Sequence, residues 1–305
     1  MKKRMKLIGL ILAVAVLGGC LAACGNSKSG ETGSTSSSGS GSSTASSGTT
    51  SSSTSSGSSD LSGTVATGGS TSMESVIGYL KEQFTTDNSG VTISYAGIGS
   101  GGGIEGASNG TYDIGLSSRD LTDEEAESGL KAETLALDGI TVIVSADNGV
   151  DDLSMEQIAG IYSGEITNWN EVGGDDLEIA LIGREESSGT RDGFESITGT
   201  DGSYLDQELT STGAVITAVG SSPNAIGYAS LSAVEGQSDI KAVTVDGVEC
   251  SEETILDGSY TIQRPFVLVT SEDATLGEAA QAFYDFCLSD EATELIRGAG
   301  AVPIR

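Results

Sequence analysis

The chain contains no histidine. Composition alone therefore excludes Ser-His-Asp and Cys-His catalysis and histidine-ligated metal sites. Positive charge is scarce, with 14 Lys and Arg against 44 Asp and Glu. Lys2, Lys3, Arg4 and Lys6 lie in the first 23 residues, so the remainder carries ten basic and 44 acidic groups, net −34. Such a surface disfavours nucleic acid, whose binding rests on clustered cations. It also repels anions at long range, although salt screens this beyond about 8 Å. An anion site on this chain must work through short-range donors. Cysteine is sparse: beyond Cys20 and Cys24 only Cys250 and Cys287 occur. Cys287 sits in the apolar run Ala282–Leu288, which reads as a helix, so a buried free thiol is expected rather than a bridge. No clustered metal-ligand pattern or activated nucleophile is apparent, and neither an enzyme nor a cofactor is expected.

Three compositional zones divide the chain. Residues 1–23 join a basic start to the apolar run Leu7–Leu17, too short to span a bilayer comfortably, and read as a signal peptide. Leu21-Ala-Ala-Cys24 has the form of a lipobox, with Leu17-Gly-Gly-Cys20 as the alternative, so Cys24 is the expected lipidation site. The lipid (palmitate among its chains) would anchor the chain to the extracytoplasmic face of the cell membrane, neither spanning nor free. Residues 24–60 are almost entirely Ser, Gly and Thr, and read as a flexible linker reaching roughly 30–35 Å. Residues 61–305 are long enough for two lobes, expected as 61–145 with 262–305, and 146–261.

In this third zone strands alternate with helices, indicating an α/β protein with largely parallel sheets. Leu61–Thr67 reads as a strand, and apolar residues at 73, 76, 77, 80 and 84 mark a helix, with Thr71 and Glu74 in capping-box spacing. Val91–Ala96 alternates as a strand and leads into Gly97-Ile-Gly-Ser-Gly-Gly-Gly103, a G-x-G-x-x-G match whose glycines permit close backbone approach at the helix start near Ser100. Tyr112–Ser117 is a short strand before Ser118-Arg119, followed by a helix over Asp123–Leu130. Leu135–Ser145 is one long strand or a pair, Leu153–Tyr162 a helix, and Ser163–Asn170 a loop with the only tryptophan. The stretch Leu177–Arg191 is the most telling. An apolar strand ends at Gly183-Arg184, and Ser187-Ser-Gly-Thr190 turns into a helix at Arg191. Such a turn presents amides and hydroxyls to an anion, and Arg184 adds a planar charged fork. Three turns share this chemistry: Ser70-Thr-Ser72, Ser100 with Ser117-Ser118, and Ser188-Gly-Thr190. Their convergence outside strand ends would form a cage for a tetrahedral oxyanion.

The ordered set Gly69-Ser-Thr-Ser72, Gly97–Gly103, Asp113-Ile-Gly-Leu-Ser-Ser-Arg119, Ile166-Thr-Asn-Trp169, Gly183-Arg184 with Ser187-Ser-Gly-Thr-Arg191, Ala225-Ile-Gly-Tyr228 and Arg264-Pro-Phe266 resembles the PstS-type phosphate-binding lipoproteins of phosphate ABC importers. The resemblance spans about residues 61–305. It implies a two-lobed type II periplasmic-binding-protein fold, each lobe a mixed, mostly parallel sheet flanked by helices, with two crossover segments. It implies a solute-binding role: inorganic phosphate captured between the lobes and passed to an ABC permease and ATPase complex, by a monomer of Gram-positive surface-lipoprotein type. Carried over residue by residue, the phosphate-binding set is Thr71, Ser72, Ser100, Ser118, Arg184, Ser188, Gly189 and Thr190. Glu186 matches the carboxylate that pairs the arginine in relatives. Many relatives place an aspartate at Ser118, where it accepts the proton of hydrogen phosphate. A serine there leaves sulfate, molybdate or a phosphonate as alternative ligands. A surface interaction protein without transport is the remaining alternative. Arg119 and Arg191 read as structural ion pairs more than as ligand contacts, and the lobes would hinge near Ile143–Asp147 and Tyr260–Arg264.

Overall fold

The computed structural model describes residues 61–305; the expected signal peptide, Cys20, Cys24 and the linker to residue 60 lie outside the described residues. β1 (Ser62–Gly69) precedes α1 (Glu74–Asp87), and the expected apolar positions Met73, Val76, Ile77, Leu80 and Phe84 are all buried. β2 (Gly90–Gly97) runs parallel to β1 along its whole length, from Ser62 opposite Gly90 to Gly69 opposite Gly97. α2 (Ser100–Ser108) carries the chain to β3 (Ile114–Ser117), parallel on the other side of β1. The glycine run has a packing reason here: a Cβ on Gly103 would stand 2.7 Å from the Gly68 carbonyl oxygen. α3 (Asp123–Glu127) ends earlier than expected, because Leu130 is buried as the first residue of β4 (Leu130–Ser145), a single strand of 16 residues.

The second half begins with β5 (Asp152–Leu153) and α4 (Met155–Tyr162), capped by Ser154 and Gln157. β6 (Ala180–Arg184), α5 (Gly189–Thr198), β7 (Gln207–Leu209), α6 (Thr212–Gly220) and β8 (Ala225–Ser230) follow. α7 (Leu231–Val234), β9 (Ile240–Ala242), β10 (Thr244–Val245) and α8 (Glu252–Leu256) complete it. β11 (Gln263–Ser271) returns to the first half, where α9 (Glu278–Cys287), α10 (Thr293–Gly298) and β12 (Val302–Pro303) close the chain.

The strand order is β2-β1-β3-β11-β4-β8-β6-β7, with β9 and β12 also on β4. The outer groups β2-β1-β3 and β8-β6-β7 are parallel, as βα alternation predicts. The sheet is more mixed than the sequence indicates. β4 and β11 pair antiparallel with each other, and each runs antiparallel to the group it joins. These two strands carry the chain between two apolar cores. Leu135 and Ala136 of β4 belong with Val65, Leu80, Phe266 and Phe283. Ile140, Val142 and Val144 belong with Trp169, Phe194, Tyr228 and Tyr260. The changeover falls at Asp138–Ile140, so Ile143–Ser145, part of the expected hinge, lies beyond it: Val144 packs in the second core, Ile143 packs against Ile182, Val215 and Val219, and the segment pairs with β8 and β9.

Trp169 is a core residue, its indole N–H donating to the Asn224 carbonyl at 2.9 Å. Cys287 sits in the first core and Cys250 in the second, both free and buried. Burial pushes the Cys250 thiol up to about 12 and raises that of Cys287 as well. No helix among the described residues is long and apolar enough to cross a membrane.

Candidate oxyanion site between the two cores

The carboxyl ends of the parallel strands supply the site, as expected of an open α/β sheet. β1 delivers Ser70–Ser72, β2 leads through Gly99 to Ser100, and β3 leads into Ser118. From the other core, β6 ends on Arg184, the N-terminus of α5 carries Ser188, Gly189 and Thr190, and β7 leads to Thr212 at the start of α6. All of the side chains named here are buried. The eight sequence-expected positions are thus brought together, along with two that the expected set omits, Ser70 and Thr212.

Their hydroxyls form two connected groups. Ser70 Oγ donates to Ser118 Oγ at 2.9 Å, Ser118 Oγ lies 3.1 Å from Ser100 Oγ, and the Ser118 amide donates to Ser100 Oγ at 3.0 Å. Ser72 Oγ lies 2.9 Å from Thr190 Oγ1 and 3.0 Å from Thr212 Oγ1, which is itself 3.1 Å from Thr71 Oγ1. The Thr212 amide donates to Thr71 Oγ1 at 3.1 Å. The chain Thr190–Ser72–Thr212–Thr71 therefore alternates between the two cores. Gly189 completes the seam: a Cβ there would stand 2.6 Å from Ser100 Oγ and 2.9 Å from Ser118 Oγ, so any side chain would wedge the two walls apart.

Local chemistry departs from the sequence reading at two turns. The Thr71–Glu74 box does not form. Ser70 caps the short 3-10 turn Thr71–Met73 by accepting from the Ser72 amide at 3.3 Å, which leaves the Thr71 hydroxyl to face Thr212. Tyr95 Oη donates to the Ser70 carbonyl at 2.9 Å and holds this turn; burial raises its phenol, which stays protonated. The second departure concerns the carboxylate on Arg184. Glu185 binds it, accepting from Nε and Nη2 at 2.9 Å each, whereas Glu186 is exposed. The neighbouring residue has the reach because the side-on fork needs a carboxylate beside Nε.

Arg184 is 1% exposed. Nε also donates to the Leu209 carbonyl at 3.1 Å, and Nη1 donates to Thr212 Oγ1 at 3.1 Å. A guanidinium has five N–H groups, so one N–H on each terminal nitrogen remains to meet an oxyanion. Ser188 caps α5, accepting from the Thr190 and Arg191 amides at 3.2 and 3.4 Å, and keeps its own O–H as a donor. Arg191 is a structural residue: it binds Glu195 at 2.6 Å, Glu208 at 2.9 Å and the Arg184 carbonyl at 2.9 Å, fixing the end of β6. Arg119 is likewise engaged, in a fork with Glu125 at 2.7 and 2.8 Å and with Asp192 of α5 at 2.9 Å.

Beneath the hydroxyls lies a buried ion pair. Asp138 and Arg264 stand directly opposite in the β4–β11 register, where the chain changes core. Arg264 donates to Asp138 Oδ2 through Nε at 3.2 Å and Nη2 at 3.0 Å, and through Nη1 to the Ser118 carbonyl at 3.4 Å. Ser230 Oγ donates to Asp138 Oδ1 at 2.7 Å and touches Ser232 Oγ, which donates to the Ser72 carbonyl at 3.3 Å. The pair thus reaches two of the turns above it. Burial pushes the Asp138 carboxyl up, against the opposing pull of Arg264 and Ser230.

The missed residue Thr212 had a signal. Ser211-Thr-Gly213 repeats the Ser/Thr-Gly start of α5, but the strand before it is only three residues long and carries no apolar alternation. Ser70 belonged to a turn already singled out; its role depends on Ser118 lying across from it, a contact 48 residues apart in sequence.

A buried arginine amid hydroxyls and helix N-termini, contributed from two cores joined by two strands, defines an oxyanion-binding protein of the periplasmic-binding class. Comparison with known sequences agrees: residues 26–291 match the PBP superfamily domain. The chain belongs to this superfamily and, within it, to the PstS-type phosphate-binding proteins. It is 30% identical over 312 residues to the phosphate-binding protein PstS of Bacillus subtilis, covering 100% of this chain and 95% of that one. PstS of Borreliella burgdorferi is 30% identical over 252 residues, covering 79% of this chain and 90% of that one. Among solved structures, a Clostridium perfringens chain with bound phosphate is 39% identical with a TM-score of 0.77, covering 80% of this chain and all (100%) of the other. An ABC-type phosphate transport receptor of Vibrio cholerae is 33% identical with a TM-score of 0.63, over 78% of this chain and 99% of that one.

Proposed function

We propose that this chain captures inorganic phosphate between its two lobes and delivers it to an ABC permease, as a binding protein and not an enzyme. The observation that carries this reading is Arg184, buried within hydroxyls of both cores with an N–H on each terminal nitrogen left to donate. Short-range donors of this kind act despite the net charge of −34 beyond the first 23 residues. The lobes hinge where β4 and β11 cross, at Asp138–Ile140 and Ile262–Arg264. This moves the first boundary from Ser145 to Gly139, because Ile140, Val142 and Val144 pack in the second core. Titration calorimetry of the monomeric chain is expected to show one phosphate site, with a smaller radius of gyration by X-ray scattering once phosphate is added. Absence of phosphate binding overturns the reading.

A second reading keeps the site and changes the anion to sulfate, molybdate or a phosphonate. It is favoured by Ser118, a hydroxyl where a carboxylate acceptor would reject an unprotonated ion. Competition in the same titration separates the two, since sulfate displacing phosphate at comparable concentration supports the second.

The N-terminal reading completes the proposal: Cys24 carries lipid and holds the lobes at the extracytoplasmic face of the cell membrane through the linker. Cells fed labelled palmitate are expected to label the full chain and lose that label in Cys24→Ala; a persisting label assigns the anchor to Cys20 instead.

A further inference from the structure

Thr212 makes three contacts across the seam, as many as Ser72 of the sequence-expected set, and alone among these residues it also binds the Arg184 guanidinium by its hydroxyl. Its Oγ1 accepts from Arg184 Nη1 at 3.1 Å and lies 3.0 Å from Ser72 Oγ and 3.1 Å from Thr71 Oγ1, while its amide donates to Thr71 Oγ1 at 3.1 Å. One hydroxyl therefore joins the Arg184 guanidinium to two residues of the opposite core. The residue is 2% exposed. Immediately outside it lies a surface pocket of about 310 Å³ whose walls come from both lobes, Glu74 and Ser75 on one side and Gly213, Ile216 and Gln237 on the other. Thr71, Ser72 and Thr212 line this pocket as well. The same three residues thus form the partition between the hydroxyl cage and the pocket that opens to solvent.

We propose that Thr212 is a further phosphate-site residue and the seal of the closed cage, with the neighbouring pocket as the route of exchange. The proposal rests on the phosphate reading above. The chemistry follows from the hydroxyl's capacity of one donor and two acceptors. Arg184 occupies one acceptor position. The other acceptor and the proton serve Thr71 and Ser72, or the ligand, as the walls meet. Thr212 can form these contacts only when the lobes are together, so its hydroxyl stabilises the closed, loaded form over the open one. A bound anion must break this partition to leave, and the effect should fall mainly on the dissociation rate.

Thr212→Val keeps the β-branched shape and removes the hydroxyl, leaving Arg184 Nη1 and the Ser72 hydroxyl without that partner. It is expected to weaken phosphate binding about tenfold or more, chiefly through faster release. Affinity would be read by calorimetry with inorganic phosphate, and release by mixing the loaded protein with an excess of a phosphate scavenger. Thr212→Ser is expected to restore most of the lost affinity, because the hydroxyl returns. Phosphate affinity and release unchanged in Thr212→Val overturn this inference alone, as does a Thr212→Ser variant as weak as the valine. An unaltered chain that binds no phosphate overturns this inference together with the reading it rests on.

Discussion

An Arg184→Ala variant is expected to bind phosphate about a thousandfold or more weakly than the unaltered chain. Two guanidinium N–H groups remain after Glu185, Leu209 and Thr212 take theirs, and each charge-assisted bond contributes about 1.5–3 kcal/mol. Two such bonds span roughly two to four orders of magnitude in affinity. The alanine also releases the Glu185 carboxylate beside the cage, where its charge opposes an incoming anion. Arg184→Lys should recover only part of the loss, since an ammonium cannot hold Glu185 side-on and still present two donors. The fold should survive, because the backbone of Arg184 remains tied by its amide to Tyr228 Oη at 3.2 Å and by its carbonyl to Arg191. Calorimetry checks the affinity, and a thermal midpoint without phosphate checks the fold. An alanine variant within about tenfold of the unaltered affinity removes Arg184 from the ligand set.

Asp138→Asn should produce the largest loss of stability. The change leaves the Arg264 guanidinium buried without its counter-charge, a situation that costs about 3–5 kcal/mol. For a folded unit of this size the thermal midpoint should fall by about 6–20 °C. The paired replacement Asp138→Leu with Arg264→Met removes both charges and is expected to recover most of that loss. It should not recover phosphate affinity, because the contacts from Arg264 to the Ser118 carbonyl, and from Asp138 through Ser230 and Ser232 to the Ser72 carbonyl, are gone. Melting and calorimetry on the two variants separate stability from the support of the site. A paired variant that binds phosphate normally would show that these turns hold themselves.

Local patterns made much of this protein legible in its sequence. The helical spacing of Met73, Val76, Ile77, Leu80 and Phe84, and the strand-turn-helix passages at Ser70, Ser100 and Ser188, are short-range signals; the structure forms each passage, with a different cap at the first. What the sequence did not disclose depends on contacts distant along the chain. Glu185 and Glu186 are equivalent to composition, and only the turn after β6 decides which one faces the guanidinium. Thr212 gains its meaning from Thr71, 141 residues away. Arg264 was visible as part of a motif, but its partner Asp138 lies on a different strand, 126 residues earlier. In the run to Ser145 the changeover is marked only by Asp138-Gly139, a pair that reads equally as a polar interruption of one buried strand or as the turn between two.

A hinge is commonly pictured as a loose loop, yet this chain passes between its lobes on paired strands. β4 runs unbroken through the changeover, and Asp138 opposite Arg264 pins it to β11 there. Such a joint behaves as a torsion bar: ladder hydrogen bonds resist sliding and pulling apart, while twist spreads over several residues with little cost at any one peptide. If the lobes open and close as proposed, the two movements share one preset axis, and the serines and threonines of each wall would return to the same register at every cycle. A cage assembled from many single hydroxyls, each useful only within about 3 Å of its target, has need of that repeatability.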